Sequence, residues 1–166
     1  MKSIAFFCFS VFFSTLFGQV EINSGTGISY LALGDSYTIG ESVSENERWP
    51  DQFKDSLIDR GFTVDAFKII ATTGWTTSNL ISGIAQQQLD SNWNLVSLLI
   101  GVNNQFQNRP FSIYLQELPL LINQSIALAG GKKESVFLVS IPDYAYTSFG
   151  QSTGNQANIS AGIDKY

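Results

Sequence analysis

Four apolar, β-rich runs separated by stretches of helical spacing constrain this chain most strongly. The runs are Tyr30–Leu33, Phe62–Ile70, Leu95–Ile100 and Val136–Ile141. Between the first two, Trp49, Phe53, Leu57 and Ile58 recur at one helical face among Asp51, Lys54, Asp55 and Asp59, and Gly61 closes the pattern. Leu80, Ile81 and Ile84 mark a second helix after Gly74. Phe111, Leu115, Leu118, Ile122, Ile126 and Ala129 mark a third, which ends at Gly130-Gly131. Pro119 sits inside that third pattern and predicts a kink or a restart, because proline lacks the N–H that an interior helical position donates. Strand–helix alternation of this kind predicts an α/β fold: one parallel sheet covered by helices on both faces. The near-continuous apolar character of Val96–Ile100 and Val136–Val139 fits strands buried on both sides.

In such sheets ligands bind beyond the carboxyl ends of the strands. Those ends carry Gly34-Asp35-Ser36, Thr72-Thr73-Gly74-Trp75, Gly101-Val102-Asn103-Asn104 and Pro142-Asp143-Tyr144. A strand that ends in Gly-Asp-Ser places a serine hydroxyl on a sharp turn at a helix start, where unpaired backbone N–H groups stabilise a developing oxyanion. Taken alone, Asp35 and Ser36 suit an ordinary helix cap equally well. Gly74 suits a plain turn, and Gly101 with Asn103 a strand-exit loop. It is their gathering along one sheet edge that points to chemistry.

The first eighteen residues read differently from the rest. Lys2, an apolar stretch from Ile4 to Phe17, and Gly18-Gln19 describe a secretory signal peptide too short to span a bilayer. We therefore expect residues 1–18 to be cleaved, residues 19–166 to form one domain, and the protein to be secreted or periplasmic. Removing Lys2 from 9 basic residues leaves 8 against 14 acidic ones. No basic cluster exceeds Lys132-Lys133, which argues against a nucleic-acid partner. Cleavage also takes away Cys8, the one cysteine, so disulfides play no part. The chain has no histidine and its acids are dispersed, so neither a metal nor a cofactor is expected. A nucleotide-binding reading is weakened because no glycine-rich phosphate loop follows the first strand.

Leu33-Gly34-Asp35-Ser36, Thr72-Thr73-Gly74-Trp75 and Gly101-Val102-Asn103-Asn104, in that order, resemble the first three conserved blocks of the SGNH, or GDSL-type, hydrolases. That family comprises esterases and lipases on a flavodoxin-like three-layer α/β/α sandwich. The resemblance implies a parallel sheet in the order 2-1-3-4, with Ser36 as nucleophile. It also implies an oxyanion hole made by the N–H of Ser36, the N–H of Gly74 and the side-chain amide of Asn103, with Asp35 bracing the turn. Asn104 stands where the family usually has Asp, and we expect this to weaken local hydrogen bonding more than chemistry.

The family's fourth block, Asp-x-x-His, has no match, and the sequence reaches Tyr166 in what reads as the helix before the family's final strand. The chain is thus expected to be a C-terminally incomplete SGNH domain, nearly inactive as it stands. In the alternative reading it is a non-catalytic binding module that has lost its base. Asp143 reads as a loop residue, a poor replacement base near neutral pH. The resemblance implies a small-molecule, glycan or lipid ester as substrate, in a lysophospholipase-like or carbohydrate-deacylase activity. Trp49, Trp75, Tyr144, Tyr146 and Phe149 are candidates for an acyl or sugar pocket, Trp49 more for packing and Trp75 for the rim.

Overall fold

The computed structural model describes residues 27–166. The signal peptide expected at 1–18, its cleavage site and the first residues of the domain lie outside the described residues. The elements run β1 (Ile28–Gly34), α1 (Ser36–Ile39), α2 (Trp49–Asp59), β2 (Val64–Ala71), α3 (Thr77–Ala85), β3 (Leu95–Leu99), α4 (Val102–Phe106), α5 (Phe111–Leu128), β4 (Val136–Leu138), α6 (Ser148–Ser152) and α7 (Gln156–Ile163). The four strands form one parallel sheet in the order β2-β1-β3-β4, as expected.

Alternation along β1 shows how one strand feeds two cores. Leu31 and Leu33 face a cluster with Leu80 and Ile84 of α3, Leu121 of α5, and Val96 and Leu98 of β3. Tyr30 and Ala32 face the opposite layer, against Leu57 and Phe53 of α2. Each leucine, isoleucine or valine among them, taken fully out of water, contributes about 1.5–3 kcal/mol before chain entropy is charged against it. The hydroxyl of Tyr30 lies 2.9 Å from that of Ser97, so the one phenol inside this layer is hydrogen-bonded. A third cluster, Val102, Ala145, Ile159 and Ile163, packs α7 onto α4 at the carboxyl edge.

Three boundaries differ from expectation. Phe62 is not in β2: its N–H closes the end of α2 on Leu57 O at 3.1 Å, and its ring packs on the Tyr30 layer. The fourth strand stops at Leu138, although Val139 N–H still reaches Leu98 O at 3.0 Å. α5 runs from Phe111 to Leu128 without a restart at Pro119. Pro119 and Leu115, whose carbonyl loses its donor, are both exposed, so the break in the helical ladder faces solvent. Among the described residues, no helix is long and apolar enough to cross a membrane.

Candidate active site

Gly34 pairs with Ala71 on one side and with Leu99 on the other. The chain therefore leaves β1, β2 and β3 at one level of the carboxyl edge. Ser36 begins α1, and Asp35 caps it, its Oδ1 accepting the Tyr37 N–H at 3.1 Å. The cap is thus Asp35, which leaves the serine side chain out of capping. As the first helical residue, Ser36 has no partner for its N–H within α1. Asp35 is fully buried and, among the described residues, its Oδ2 has no partner. Loss of hydration pushes its pKa up to about 7, and the Tyr37 N–H only partly offsets this.

Ser36 and Asn103 line the same cavity, of about 330 Å³, together with Tyr37, Phe106, Tyr144 and Phe149. Asn103 is buried, and its Nδ2 donates to Trp75 O at 2.9 Å. A carboxamide has two N–H bonds, so this anchor leaves one for the cavity. Gly74 does not line the cavity; it lies in the turn that Asn103 holds. Its φ of +83° is a conformation that glycine adopts without strain. Gln107 Nε2 donates to Gly74 O at 2.9 Å, so α4 and the residue after it fix this turn from two sides. Among the described residues, the Gly74 N–H has no acceptor.

Asn104, where the family usually has Asp, is hydrogen-bonded through both ends of its amide. Fully buried, Asn104 accepts the Thr77 N–H at 3.0 Å and donates to Thr77 Oγ at 2.7 Å. Thr77 Oγ then donates to Glu117 of α5, and Ser78 Oγ donates to the same carboxylate at 2.7 Å. An aspartate at 104 has no proton to give and takes the threonine's proton for itself. The Asn–Thr–Glu chain runs in one direction because its first member is an amide.

Of the aromatic candidates, Tyr144 and Phe149 reach the cavity. Tyr146 is exposed and Trp49 begins α2, half-buried and outside the cavity lining. Trp75 is not at the rim: it packs against the core, lying so close to Gly83 that a Cβ there would sit 2.3 Å from its ring. Asp143 spends both oxygens on structure, accepting from Ala145 N–H at 2.9 Å and from Ser160 Oγ at 2.5 Å. Sequence reasoning missed Phe106, Tyr37 and Gln107. Among the described residues, no three His, Cys, Asp or Glu side chains are placed to hold a metal ion.

The profile of the GDSL-like lipase/acylhydrolase family matches residues 32–163. Among solved structures, the chain is similar to AlinE4, described as an SGNH-hydrolase family esterase, with a TM-score of 0.58 at 17% identity over 84% of this chain and 74% of that one. It is also similar to a lipase/acylhydrolase from Enterococcus faecalis, with a TM-score of 0.59 at 21% identity over 83% of this chain and 68% of that one. A phospholipase A1 from Streptomyces albidoflavus NA297 gives 0.50 at 18% identity, over 84% and 72%. No curated protein sequence gives a significant match.

Proposed function

Since this chain belongs to the GDSL-like lipase/acylhydrolase family, we propose that it is the nucleophile-bearing part of an exported serine esterase that cleaves carboxylic esters through an acyl-Ser36 intermediate. The observation that carries this reading is the shared cavity of Ser36 and Asn103, two residues that leave neighbouring strands at one level. Ser36 Oγ attacks the ester carbonyl carbon and a base takes its proton. The carbonyl oxygen becomes an oxyanion that accepts from the N–H of Ser36 and the free N–H of Asn103, with the Gly74 N–H, in the turn that Asn103 holds just outside the cavity lining, as the third donor the family pattern implies. Collapse breaks the ester bond; the alcohol leaves with the proton, and water then releases the acid from Ser36 in the same two moves. Asp35 holds the turn and takes no proton from substrate.

Residues 1–166 contain no histidine, so none of them supplies the family's usual base. We propose that an Asp-x-x-His pair belongs to the whole protein outside these residues. The absence of histidine equally motivates a second reading, a binding module that kept the cavity without turnover. Appending an Asp-x-x-His segment from a relative distinguishes the two. Hydrolysis of p-nitrophenyl esters and fluorophosphonate labelling should appear, and both should vanish in Ser36→Ala. Labelling that survives Ser36→Ala would remove Ser36 as nucleophile. Export rests on residues 1–18; the mature N-terminus of protein collected outside the cytoplasm should fall within a few residues of Gln19.

A further inference from the structure

Phe106, Tyr144 and Phe149 form a wall common to two cavities. On one side lies the cavity of Ser36 and Asn103. On the other, about 340 Å³ is bordered by Gln105, Asn108, Thr153, Asn155 and Asn158. The Phe106 ring meets Tyr144 and Phe149 with centroids 6.0 Å away, tilted by 74° and 53°. Phe106 and Phe149 are each about half exposed, so their rings are open to a ligand. Among the described residues, no charged side chain lines either cavity. The serine side is apolar beyond its catalytic edge, whereas the far side is rich in amides.

Those amides are only partly used. Tyr144 Oη donates to Gln105 Oε1 at 3.0 Å, and Asn158 Nδ2 donates to Asn155 Oδ1 at 2.5 Å. Among the described residues, Gln105 Nε2, the Asn108 amide, Asn155 Nδ2 and Asn158 Oδ1 have no partner. Donors and acceptors are therefore interleaved around one space, which matches hydroxyl groups that both give and accept. Aromatic rings beside such a set receive the apolar C–H surface of the same molecule. A phosphate group would enter with its negative charge uncompensated, which a cleft without cationic side chains penalises.

We propose that the ester this site recognises joins an apolar acyl group to a neutral polyol. The acyl group lies by Ser36, and the polyhydroxylated alcohol lies across the aromatic wall among Gln105, Asn108, Asn155 and Asn158. The proposal rests on the serine-esterase reading and narrows it away from phospholipid substrates. The polyol has two sources, a sugar or the glycerol of a glyceride.

Calorimetric titration of the chain with four inert compounds below their micellar concentrations tests this: octyl β-glucoside, 1-O-octylglycerol, octylphosphocholine and 1-octanol. At least one polyol ether should bind about tenfold more tightly than octylphosphocholine and 1-octanol, the worth of one or two added hydrogen bonds. The order of the two polyol ethers names the source. Asn155→Ala and Asn158→Ala, on the outer wall, should weaken the polyol ethers about fivefold while 1-octanol binding holds, for each removes roughly one such bond. Octylphosphocholine or 1-octanol binding as tightly as both polyol ethers overturns the proposal. None of these compounds carries a carbonyl, so the titration reads recognition alone. Ser36 labelling without polyol preference removes only this inference, and polyol preference without labelling removes only the esterase reading.

Discussion

The carboxamide of Asn103 donates to the carbonyl of Trp75 at 2.9 Å, which ties the end of β3 to the turn after β2. One side chain therefore does two things: it holds the Gly74 turn and it presents an N–H to the Ser36 cavity. In a chain equipped with an Asp-x-x-His segment, Asn103→Ala should lower turnover of p-nitrophenyl butyrate by about 10²–10³ while Ser36 is still labelled, only more slowly. Asn103→Asp should be worse, because it places a negative charge where the proposed mechanism forms its oxyanion. An unchanged kcat in Asn103→Ala would reduce the residue to a staple for the turn.

The direction of the Asn104–Thr77–Glu117 chain makes a second prediction. Asn104→Asp sets two carboxylates competing for one hydroxyl proton inside the protein. It should cost about 2–4 kcal/mol in urea denaturation at pH 7, through an unsatisfied buried acceptor. Adding Glu117→Gln supplies an amide donor at the other end and should recover at least 1 kcal/mol of that loss. Strict additivity of the two substitutions would show that the chain is not coupled.

Asp35 makes stability depend on pH in the direction opposite to most carboxylates. Its pKa is raised from near 4 to about 7, so the native state holds the proton more tightly than the unfolded chain. The contribution is fully present below pH 4 and is lost as pH rises through 7. Between pH 5 and pH 8 this amounts to about 2–3 kcal/mol. Asp35→Asn keeps an oxygen for the Tyr37 N–H and removes the titration. Thermal melts should show the variant gaining on the parent from pH 5 to pH 8, and a constant difference would contradict this.

Gly101 has a φ of +132°, and a Cβ there would lie 2.8 Å from Tyr114 Cε2 and 2.9 Å from Ile141 Cδ1. Gly101→Ala combines backbone strain with overpacking and should destabilise the fold by about 2–4 kcal/mol. A loss below about 1 kcal/mol would mean that the strand exit relaxes without strain.

Much of this fold could be read from residues in sequence. The apolar runs of β1 and β3 are bounded by Gly34 and Gly101, and their near-continuous hydrophobicity signals burial on both faces. Strand order followed from the family resemblance together with the handedness of parallel crossovers. The positions of Ser36, Gly74 and Asn103 were legible because each follows a strand end. The aromatic wall was not. Phe106 stands alone among Asn103, Asn104, Gln105, Gln107 and Asn108, with no periodic neighbour, and meets Tyr144 and Phe149 only through tertiary packing. Trp75 was misplaced for a related reason: the slot it fills is opened by Gly83, a helical residue eight positions later, and a glycine inside a helical pattern gives no sign of which ring it admits.

Because β1 lies between β2 and β3, the cavity at Ser36 should form late in folding. Ile28 must find Val64, and Tyr30 must find Leu95, before any wall stands beside the serine. Closures of such length are slow relative to helix formation. Helical signal should therefore return early in refolding, while reactivity toward a fluorophosphonate, in a chain supplied with its base, returns only with the last cooperative phase. A serine that reacts is then a clock hand for the whole sheet, and a partly folded chain carries no stray nucleophile.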